Sequence, residues 1–302
     1  MMTDMRVKIA GIELKNPVMT ASGTFGSGME YSEFVDLNRL GAVVTKGVAN
    51  VAWPGNPTPR VAEINSGMMN AIGLQNPGID VFCERDIPFL KNYDTKIIVN
   101  VCGHAPEEYL AVVERLAEED IDMMEINISC PNVNAGFLAF GQDPKHVEEL
   151  TAQIKKIAKQ PVIMKLTPNV TSISEIALAA EAGGADAVSL INTLTGMKID
   201  VNRRCFALAN KTGGVSGPAV KPIAVRMVYQ VANAVKIPVI GMGGIATAED
   251  ALEFILAGAT GVAVGTANFI NPTATTDIID GIQAYMEKNG VKDIHELIGA
   301  VK

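Results

Sequence analysis

The chain has 302 residues, of which 48% are hydrophobic and 19% charged, and its formal net charge is −8. This composition supports a large buried core, and the acidic balance argues against a nucleic-acid partner or an anionic membrane surface. The sequence contains no apolar run long enough to span a bilayer and no basic-then-apolar signal peptide, so we expect a cytoplasmic protein.

The predicted elements begin with a hairpin over residues 5–16, with Gly11 near its turn. After it, one pattern recurs: a short apolar run, rich in β-branched residues, ends in a polar residue or glycine, and an amphipathic helix-like stretch follows. The eight apolar runs, predicted as strands, are residues 17–21, 42–45, 96–99, 121–126, 161–164, 187–191, 238–240 and 261–264. The predicted helices are residues 29–40, 80–93, 106–119, 144–159, 172–182, 218–235, 246–257 and 274–289.

Strands that alternate with helices predict an α/β fold with parallel strands, and eight such units close most simply into a (β/α)8 barrel, or TIM barrel. The alternative, an open doubly wound sheet, requires a Gly-x-Gly-x-x-Gly turn after an early strand, and the sequence has none there. Residues 50–76 are too long for an ordinary strand-to-helix loop and predict an insertion over the barrel mouth. Residues 193–217 predict a second long loop. We expect residues 1–302 to form a single barrel domain.

The residues that follow each predicted strand indicate the position of a site, because the active site of such a barrel lies at the carboxyl ends of its strands. In strand order they are Ser22, Lys46 with Gly47, Asn100, Asn127, Lys165, Asn192 with Thr193, Gly243 with Gly244, and Gly265 with Thr266. The glycines after the last two strands leave backbone amides bare, which favours a bound phosphate group. Gly213, Gly214 and Gly217 in the preceding loop can close over it. A phosphosugar satisfies this half of the site, and nothing there demands a flavin.

Two further residues suggest chemistry at this mouth. Lys165 is a fixed cation at the end of the fifth strand, where it can stabilise the negative charge of a reduced flavin; the alternative is an ion pair with Glu125. Cys130 precedes Pro131, which favours extended geometry and places the thiol on a turn just past the fourth strand. The alternative is a buried structural cysteine. The four cysteines are not spaced as metal ligands, and we expect no metal site.

Several stretches, which together cover nearly the whole chain, resemble the class 1 dihydroorotate dehydrogenases. The sequence Asn-Ile-Ser-Cys-Pro-Asn-Val at 127–133 is similar to the active-site loop of that family, and Asn-Ala-Ile-Gly-Leu-Gln-Asn-Pro-Gly at 70–78 is similar to its substrate loop. Class 2 members have serine where Cys130 stands. The ends of the two loops, at 139–141 and 75–78, resemble the NAD-linked 1B type rather than the fumarate-using 1A type.

The resemblance implies an FMN cofactor in the mouth and oxidation of (S)-dihydroorotate to orotate in pyrimidine (UMP) biosynthesis. FMN would contact Ser22, Lys46, Gly47, Asn100, Asn127, Lys165, Ile191, Gly217, Gly243, Gly244, Gly265 and Thr266. The substrate would be held by Lys46, Asn70, Ala71, Ile72, Gly73, Leu74, Asn127, Asn132, Asn192 and Thr193. Cys130 would be the base that removes the C5 proton while a hydride passes from C6 to N5 of FMN. Because a free thiol has a pKa of about 8.5, we expect activity to rise toward alkaline pH.

The 1B type also implies a partner subunit, because the chain has neither a Rossmann fingerprint nor a four-cysteine cluster site of its own. In the family that electron-transfer subunit carries FAD and a [2Fe–2S] cluster, and the assembly is a heterotetramer around a homodimer of the catalytic chain. The alternatives that remain are a 1A-type enzyme, a dihydropyrimidine dehydrogenase-like barrel, a flavin-free phosphosugar lyase or isomerase, and a non-catalytic binding barrel.

Overall fold

The computed structural model describes residues 3–129 and 140–302. Within them the strands are β1 (Val7–Ile9), β2 (Ile12–Leu14), β3 (Val18–Thr20), β4 (Ala42–Val44), β5 (Val61–Ile64), β6 (Gly67–Asn70), β7 (Lys96–Val101), β8 (Met123–Asn127), β9 (Val162–Lys165), β10 (Ala187–Leu190), β11 (Leu194–Met197), β12 (Ile199–Asp200), β13 (Cys205–Phe206), β14 (Thr212–Ser216), β15 (Val239–Met242) and β16 (Gly261–Val264). The helices are α1 (Ile79–Val81), α2 (Ile87–Leu90), α3 (Pro106–Leu116), α4 (Pro144–Ile157), α5 (Ile173–Ala182), α6 (Lys221–Ala232), α7 (Ala248–Leu256), α8 (Ala267–Ile270) and α9 (Ala274–Asn289).

Eight parallel strands close into a barrel in the order β3, β4, β7, β8, β9, β10, β15 and β16, with β16 pairing back to β3. Each apolar run predicted as a barrel strand overlaps one of these strands, so the (β/α)8 prediction is confirmed. All their residues are buried except Lys96 at the start of β7. Strands buried on both faces explain why the sequence shows short continuous apolar runs rather than strict alternation.

The N-terminal hairpin is confirmed, with β1 paired to β2 through a turn at Ala10 and Gly11, both of positive φ. Ile9 is fully buried and packs against Gly261, the first residue of β16. The hairpin therefore covers the amino-terminal end of the barrel, opposite the mouth. No helix in the two described ranges combines the length and apolarity that crossing a membrane requires.

The prediction of one helix over residues 29–40 is wrong, because the structure has two short 3-10 turns there, Tyr31–Glu33 and Leu37–Arg39. Between them Asp36 is extended, with ψ of 103°, and its carboxylate accepts a hydrogen bond from the Asn38 backbone N–H. A side-chain acceptor of this kind offers the backbone an alternative to helical hydrogen bonds, which explains the break.

The predicted helix over residues 80–93 is present, but it is α1 and α2 joined by a π-helical turn, Phe82–Asp86. Pro88 follows this turn directly, and its missing N–H leaves the carbonyl four residues earlier without the usual α-helical hydrogen bond. A π-helical turn within a helix is a recognised way of accommodating such a local irregularity. Periodicity alone does not reveal this change of winding.

Two long connections, predicted as an insertion over the mouth and a second long loop, form a sheet with each other. Strands β5 and β6 come from residues 50–76, β11 and β14 come from residues 193–217, and their antiparallel order is β11, β14, β6, β5. The register pairs Gly214 with Asn70. The sheet itself was not predicted, since glycines and polar residues in these strands hide the period-two pattern. We call these four strands the cap sheet.

Candidate active site

A buried hydrogen-bond network centred on Glu125 of β8 crosses the barrel near its mouth. Asn100 donates Nδ2 to Oε2 of Glu125 at 2.6 Å, and the Ser189 hydroxyl donates to Oε1 at 2.7 Å. Lys165 Nζ lies 3.5 Å from Oε2 of Glu125 and 3.2 Å from the Ser22 hydroxyl oxygen. All five side chains are buried. Three neighbouring strands, β7, β9 and β10, thus aim donors at one carboxylate of β8.

The position of Lys165 bears on both interpretations of this residue. The ion pair with Glu125, which was the alternative explanation, is present. The same ammonium also contacts Ser22, which follows β3 on the other side of the barrel. Lys165 is the last residue of its strand and therefore lies at the mouth. The ion pair with Glu125 does not move it away from there, so a ligand in the mouth could contact the ammonium.

Lys46 brings a second cation to the mouth from the turn after β4. Partial burial lowers the pKa of its ammonium; Cys102 acts in the opposite direction, while the nearby charges of Lys165 and Arg60 lower the pKa further. Among the residues that the structure describes, no carboxylate lies within ion-pair distance of Lys46. A partly desolvated ammonium without a counter-ion favours an anionic ligand, which would repay its lost hydration.

Asn100 offers an acceptor that no described residue uses, close to Gly47 in the turn after β4. A carboxylate only accepts hydrogen bonds, so Asn100 must turn its amide nitrogen toward Glu125. Its Oδ1 then faces the turn after β4, where a Cβ built on Gly47 would lie 2.9 Å from it. This oxygen is buried and has no hydrogen-bond partner within the described ranges. Leaving such an acceptor unpaired costs about 1–3 kcal/mol, which an N–H group of a ligand would recover.

Amide side chains line the side of the mouth formed by β8 and β10. Asn192 donates Nδ2 to Oδ1 of Asn127 at 3.1 Å, and the Thr193 N–H donates to Oδ1 of Asn192 at 2.8 Å. Thr193 packs so closely on the cap sheet that a Cβ at Gly214 would overlap its side chain. Because Gly214 pairs with Asn70, the cap sheet brings the predicted substrate residues of two distant segments together.

Residues 71–74 follow β6 and lie between the cap sheet and the turn that carries Lys46. Asn56 anchors this strip, since its Nδ2 donates to the Ala71 carbonyl at 3.0 Å and its backbone N–H donates to the Ile72 carbonyl at 2.9 Å. At the far end, Leu74 Cδ2 would lie 3.7 Å from a Cβ built on Gly47. The strip therefore borders the mouth on the side of Lys46, as its predicted role in lining the substrate pocket requires.

The glycine turn after β15 meets the end of β14 at the opposite side. A Cβ built on Gly244 would lie 2.9 Å from the Gly217 carbonyl oxygen and 2.9 Å from the Lys221 amide nitrogen. The Thr266 hydroxyl, after β16, donates to the Ser216 hydroxyl at 2.8 Å. Backbone comes this close only where side chains are missing, and such bare amides after the seventh and eighth barrel strands commonly hold phosphate.

The two glycine turns also touch the neighbouring strand ends. A Cβ built on Gly243 would lie 3.1 Å from Cγ1 of Ile191, and one on Gly265 would lie 3.5 Å from Ala21 Cβ. The short helix α8 follows the second turn directly and was not predicted, because four residues carry no readable helical period. The predicted FMN-contacting residues that the structure describes thus surround one mouth.

Cys130 and Asn132, the predicted base and one predicted substrate residue, lie outside the described residues. Among the described residues, Glu125, Ser189 and Ser216 take part in these contacts but were not predicted as site residues. Glu125 and Ser189 had a usable signal, a polar residue inside an otherwise apolar strand. Ser216 had none, because its contact with Thr266 depends on the cap sheet.

Fold and mouth together place the protein among the (β/α)8 barrels whose strand ends suit an anionic, phosphate-bearing ligand. The family model of dihydroorotate dehydrogenase matches residues 4–286. A protein of Lachnoclostridium phytofermentans named "dihydroorotate dehydrogenase B (NAD(+)), catalytic subunit" is 72% identical over 296 residues, which are 98% of this chain and 99% of that protein. Proteins of the same name from Alkaliphilus metalliredigens and Thermoanaerobacter pseudethanolicus are 66% and 54% identical, each over 99% of both chains. The chain therefore belongs to the dihydroorotate dehydrogenase family, and the resemblance inferred from the sequence is confirmed.

Proposed function

We propose that the protein is the catalytic subunit of an NAD-linked dihydroorotate dehydrogenase and oxidises (S)-dihydroorotate to orotate in pyrimidine biosynthesis. The observation that carries this proposal is that, among the described residues, no carboxylate pairs with the Lys46 ammonium and no donor reaches Asn100 Oδ1, two groups of the same mouth. They call for ligands that combine negative charge with N–H donors. The names of relatives that match the chain along its whole length support the same activity.

The residues of the mouth fit FMN. The close backbone approach of Gly244 to Gly217 leaves bare amides for a phosphate, and the Asn100 oxygen, which no described residue pairs, suits a ring N–H. Lys165, which is paired with Glu125, supplies a positive charge at the mouth. When bound, FMN supplies the acceptor for the two electrons of the oxidation. We propose that it is held by Ser22, Lys46, Gly47, Asn100, Asn127, Lys165, Ile191, Gly217, Gly243, Gly244, Gly265 and Thr266.

Dihydroorotate has a carboxylate and a ring that alternates N–H and C=O groups. Side-chain amides match such a ring because each offers both donors and an acceptor. We propose that Lys46 binds the carboxylate, while Asn70, Asn127, Asn132, Asn192 and Thr193, together with residues 71–74, hold the ring. The contact of Asn192 with Asn127 and the pairing of Asn70 with Gly214 support this shared pocket.

We propose that Cys130 takes the proton from C5 of the substrate. The support is the sequence of its loop, in which a thiol precedes Pro131 just after the strand that ends at Asn127. A thiolate is the active base, so the reacting fraction of the enzyme rises as the pH approaches the pKa of the thiol. The Cys130 side chain and the amide pocket would then act on the same ring.

The words "catalytic subunit" in the names of the relatives imply a partner subunit for those proteins. We propose that this chain likewise assembles with an electron-transfer subunit that carries FAD and a [2Fe–2S] cluster and reduces NAD. The proposed assembly is a cytoplasmic heterotetramer around a homodimer of this chain, and each chain forms one FMN-binding barrel domain.

An anaerobic titration of the purified protein with dihydroorotate tests the proposed half-reaction. The flavin absorbance near its visible maximum is followed, with dihydrouracil as the matched control substrate. We expect bleaching by dihydroorotate alone. A flavin that bleaches only with dihydrouracil, or a protein that binds no FMN when FMN is added, would overturn the proposal. Fumarate, and then NAD with the partner subunit, are added afterwards to identify the electron acceptor.

A further inference from the structure

The carboxylate of Glu125 lies inside the barrel at the level where the predicted ligand-binding side chains begin. Glu125 is 1% exposed and sits in the middle of a strand whose residues are all buried. Asn100, Ser189 and Lys165 all direct donors to it, so both of its oxygens are engaged. Burying a charge costs free energy, and an apolar residue at this position would avoid that cost. We therefore look for the role of Glu125 in the groups that it binds.

The contacts of Lys165 show which group Glu125 serves most directly. An ammonium has three donors. Among the described residues, its hydrogen-bond acceptors are Glu125 Oε2 at 3.5 Å and the Ser22 hydroxyl at 3.2 Å. One donor and part of the positive charge are thus left for a ligand. The carboxylate holds the ammonium in place and, at the same time, offsets its charge.

We propose that Glu125 is a positioning residue that sets the midpoint potential of bound FMN through Lys165, an inference that rests on the proposed FMN site. A cation beside the cofactor favours the reduced, more negatively charged form and raises the potential. A carboxylate 3.5 Å from that cation opposes the effect, and burial of both groups keeps their interaction poorly screened. Removal of the Glu125 charge therefore raises the potential, whereas removal of the Lys165 charge lowers it.

The test is the midpoint potential of the FMN-loaded protein, measured by anaerobic titration against a reference dye. Glu125→Gln keeps the size of the side chain and one acceptor while it removes the charge. At the wild-type midpoint, we expect its ratio of reduced to oxidised FMN to rise about tenfold, which is about 30 mV for a two-electron couple. Lys165→Met shifts the ratio in the opposite direction. Ser189→Ala is the matched control, because it removes one hydrogen bond to Glu125 and keeps the charge, and its potential should stay near that of the wild type.

The double variant Glu125→Gln/Lys165→Met replaces the buried pair with neutral side chains of similar size and is the variant to use if the single one does not fold. Its potential should lie between those of the two single variants, because the two opposing charges are removed together. An unchanged or lowered potential in Glu125→Gln, or a double variant outside that interval, overturns the proposal. Wild-type protein that binds no FMN, or that dihydroorotate does not reduce, overturns the proposed function instead and this inference with it.

Discussion

Replacing Gly244 with alanine tests whether the turn after β15 holds a phosphate group. The φ of Gly244 is +83°, and an added Cβ would lie 2.8 Å from Lys221 Cβ, 2.9 Å from the Lys221 amide nitrogen and 2.9 Å from the Gly217 carbonyl oxygen. Two of these three atoms belong to the backbone. The turn itself must therefore move, and with it the amides proposed to bind the phosphate.

The expected cost has two parts. The left-handed conformation costs an alanine about 1–2 kcal/mol, and the forced backbone shift adds about 1–3 kcal/mol, as overpacking does in a core. The sum, roughly 2–5 kcal/mol, should lower the melting temperature by about 4–20 °C, given a shift of about 2–4 °C per kcal/mol for chains of about 150–250 residues. FMN affinity should fall at least about tenfold, because loss of one charge-assisted hydrogen bond is worth about 1.5–3 kcal/mol.

Gly290→Ala is the matched control. Gly290 ends α9 with a φ of +70°, and no atom lies within 4 Å of an added Cβ, so only the conformational cost applies. Thermal unfolding of the FMN-free protein and the FMN dissociation constant, from flavin fluorescence, are measured for both variants. If Gly244→Ala binds FMN as the wild type does and loses no more stability than Gly290→Ala, the phosphate turn is wrongly placed.

Three further predictions concern the proton, the carboxylate and a helix start. Cys130→Ser should retain FMN but lose most turnover near neutral pH, because a serine alkoxide is far less accessible than a thiolate; wild-type turnover in a stopped-flow reduction by dihydroorotate would remove Cys130 as the base. Orotate affinity should fall as the pH rises through the lowered pKa of Lys46, because the carboxylate favours the protonated lysine, so the decline begins below the ordinary lysine range. Equilibrium dialysis of orotate at several pH values measures this, and a Lys46→Met variant that keeps the same decline would contradict it. Thr247→Ala removes the capping box that starts α7 and should cost about 1 kcal/mol, read from the urea midpoint; an unchanged midpoint would show that the cap contributes nothing.

The barrel could be predicted because its signals are local. Its strands are apolar runs of three to six residues, and some helix starts, such as Ser172, are marked in the sequence by a residue that can cap the helix. Local chemistry also explains the one wrong helix, in which the Asp36 carboxylate binds the backbone of Asn38. That residue type is common at turns, but hydrophobic periodicity outweighed it in the prediction.

The composition of the mouth could be read from the amino-acid sequence. Parallel strands bring their carboxyl ends to one rim, so the residues after each apolar run had to meet, whatever their exact spacing. The order of Lys46, Asn100, Asn127 and Lys165 along the chain was enough to predict an anion-binding, amide-rich site. The motifs at 70–78 and 127–133 were enough to indicate the family, which the similarity of whole chains establishes.

Which of these groups form hydrogen bonds with one another depends on the tertiary structure. Glu125 binds Asn100 from 25 residues away and Ser189 from 64 residues away, and no local pattern records such distances. The same holds for the cap sheet, which joins Asn70 to Gly214. A hydrogen bond forms only between atoms that the whole fold brings within about 3 Å. The unused acceptor of Asn100 and the ammonium of Lys46, without a carboxylate nearby in the described part of the chain, are therefore properties of the folded barrel.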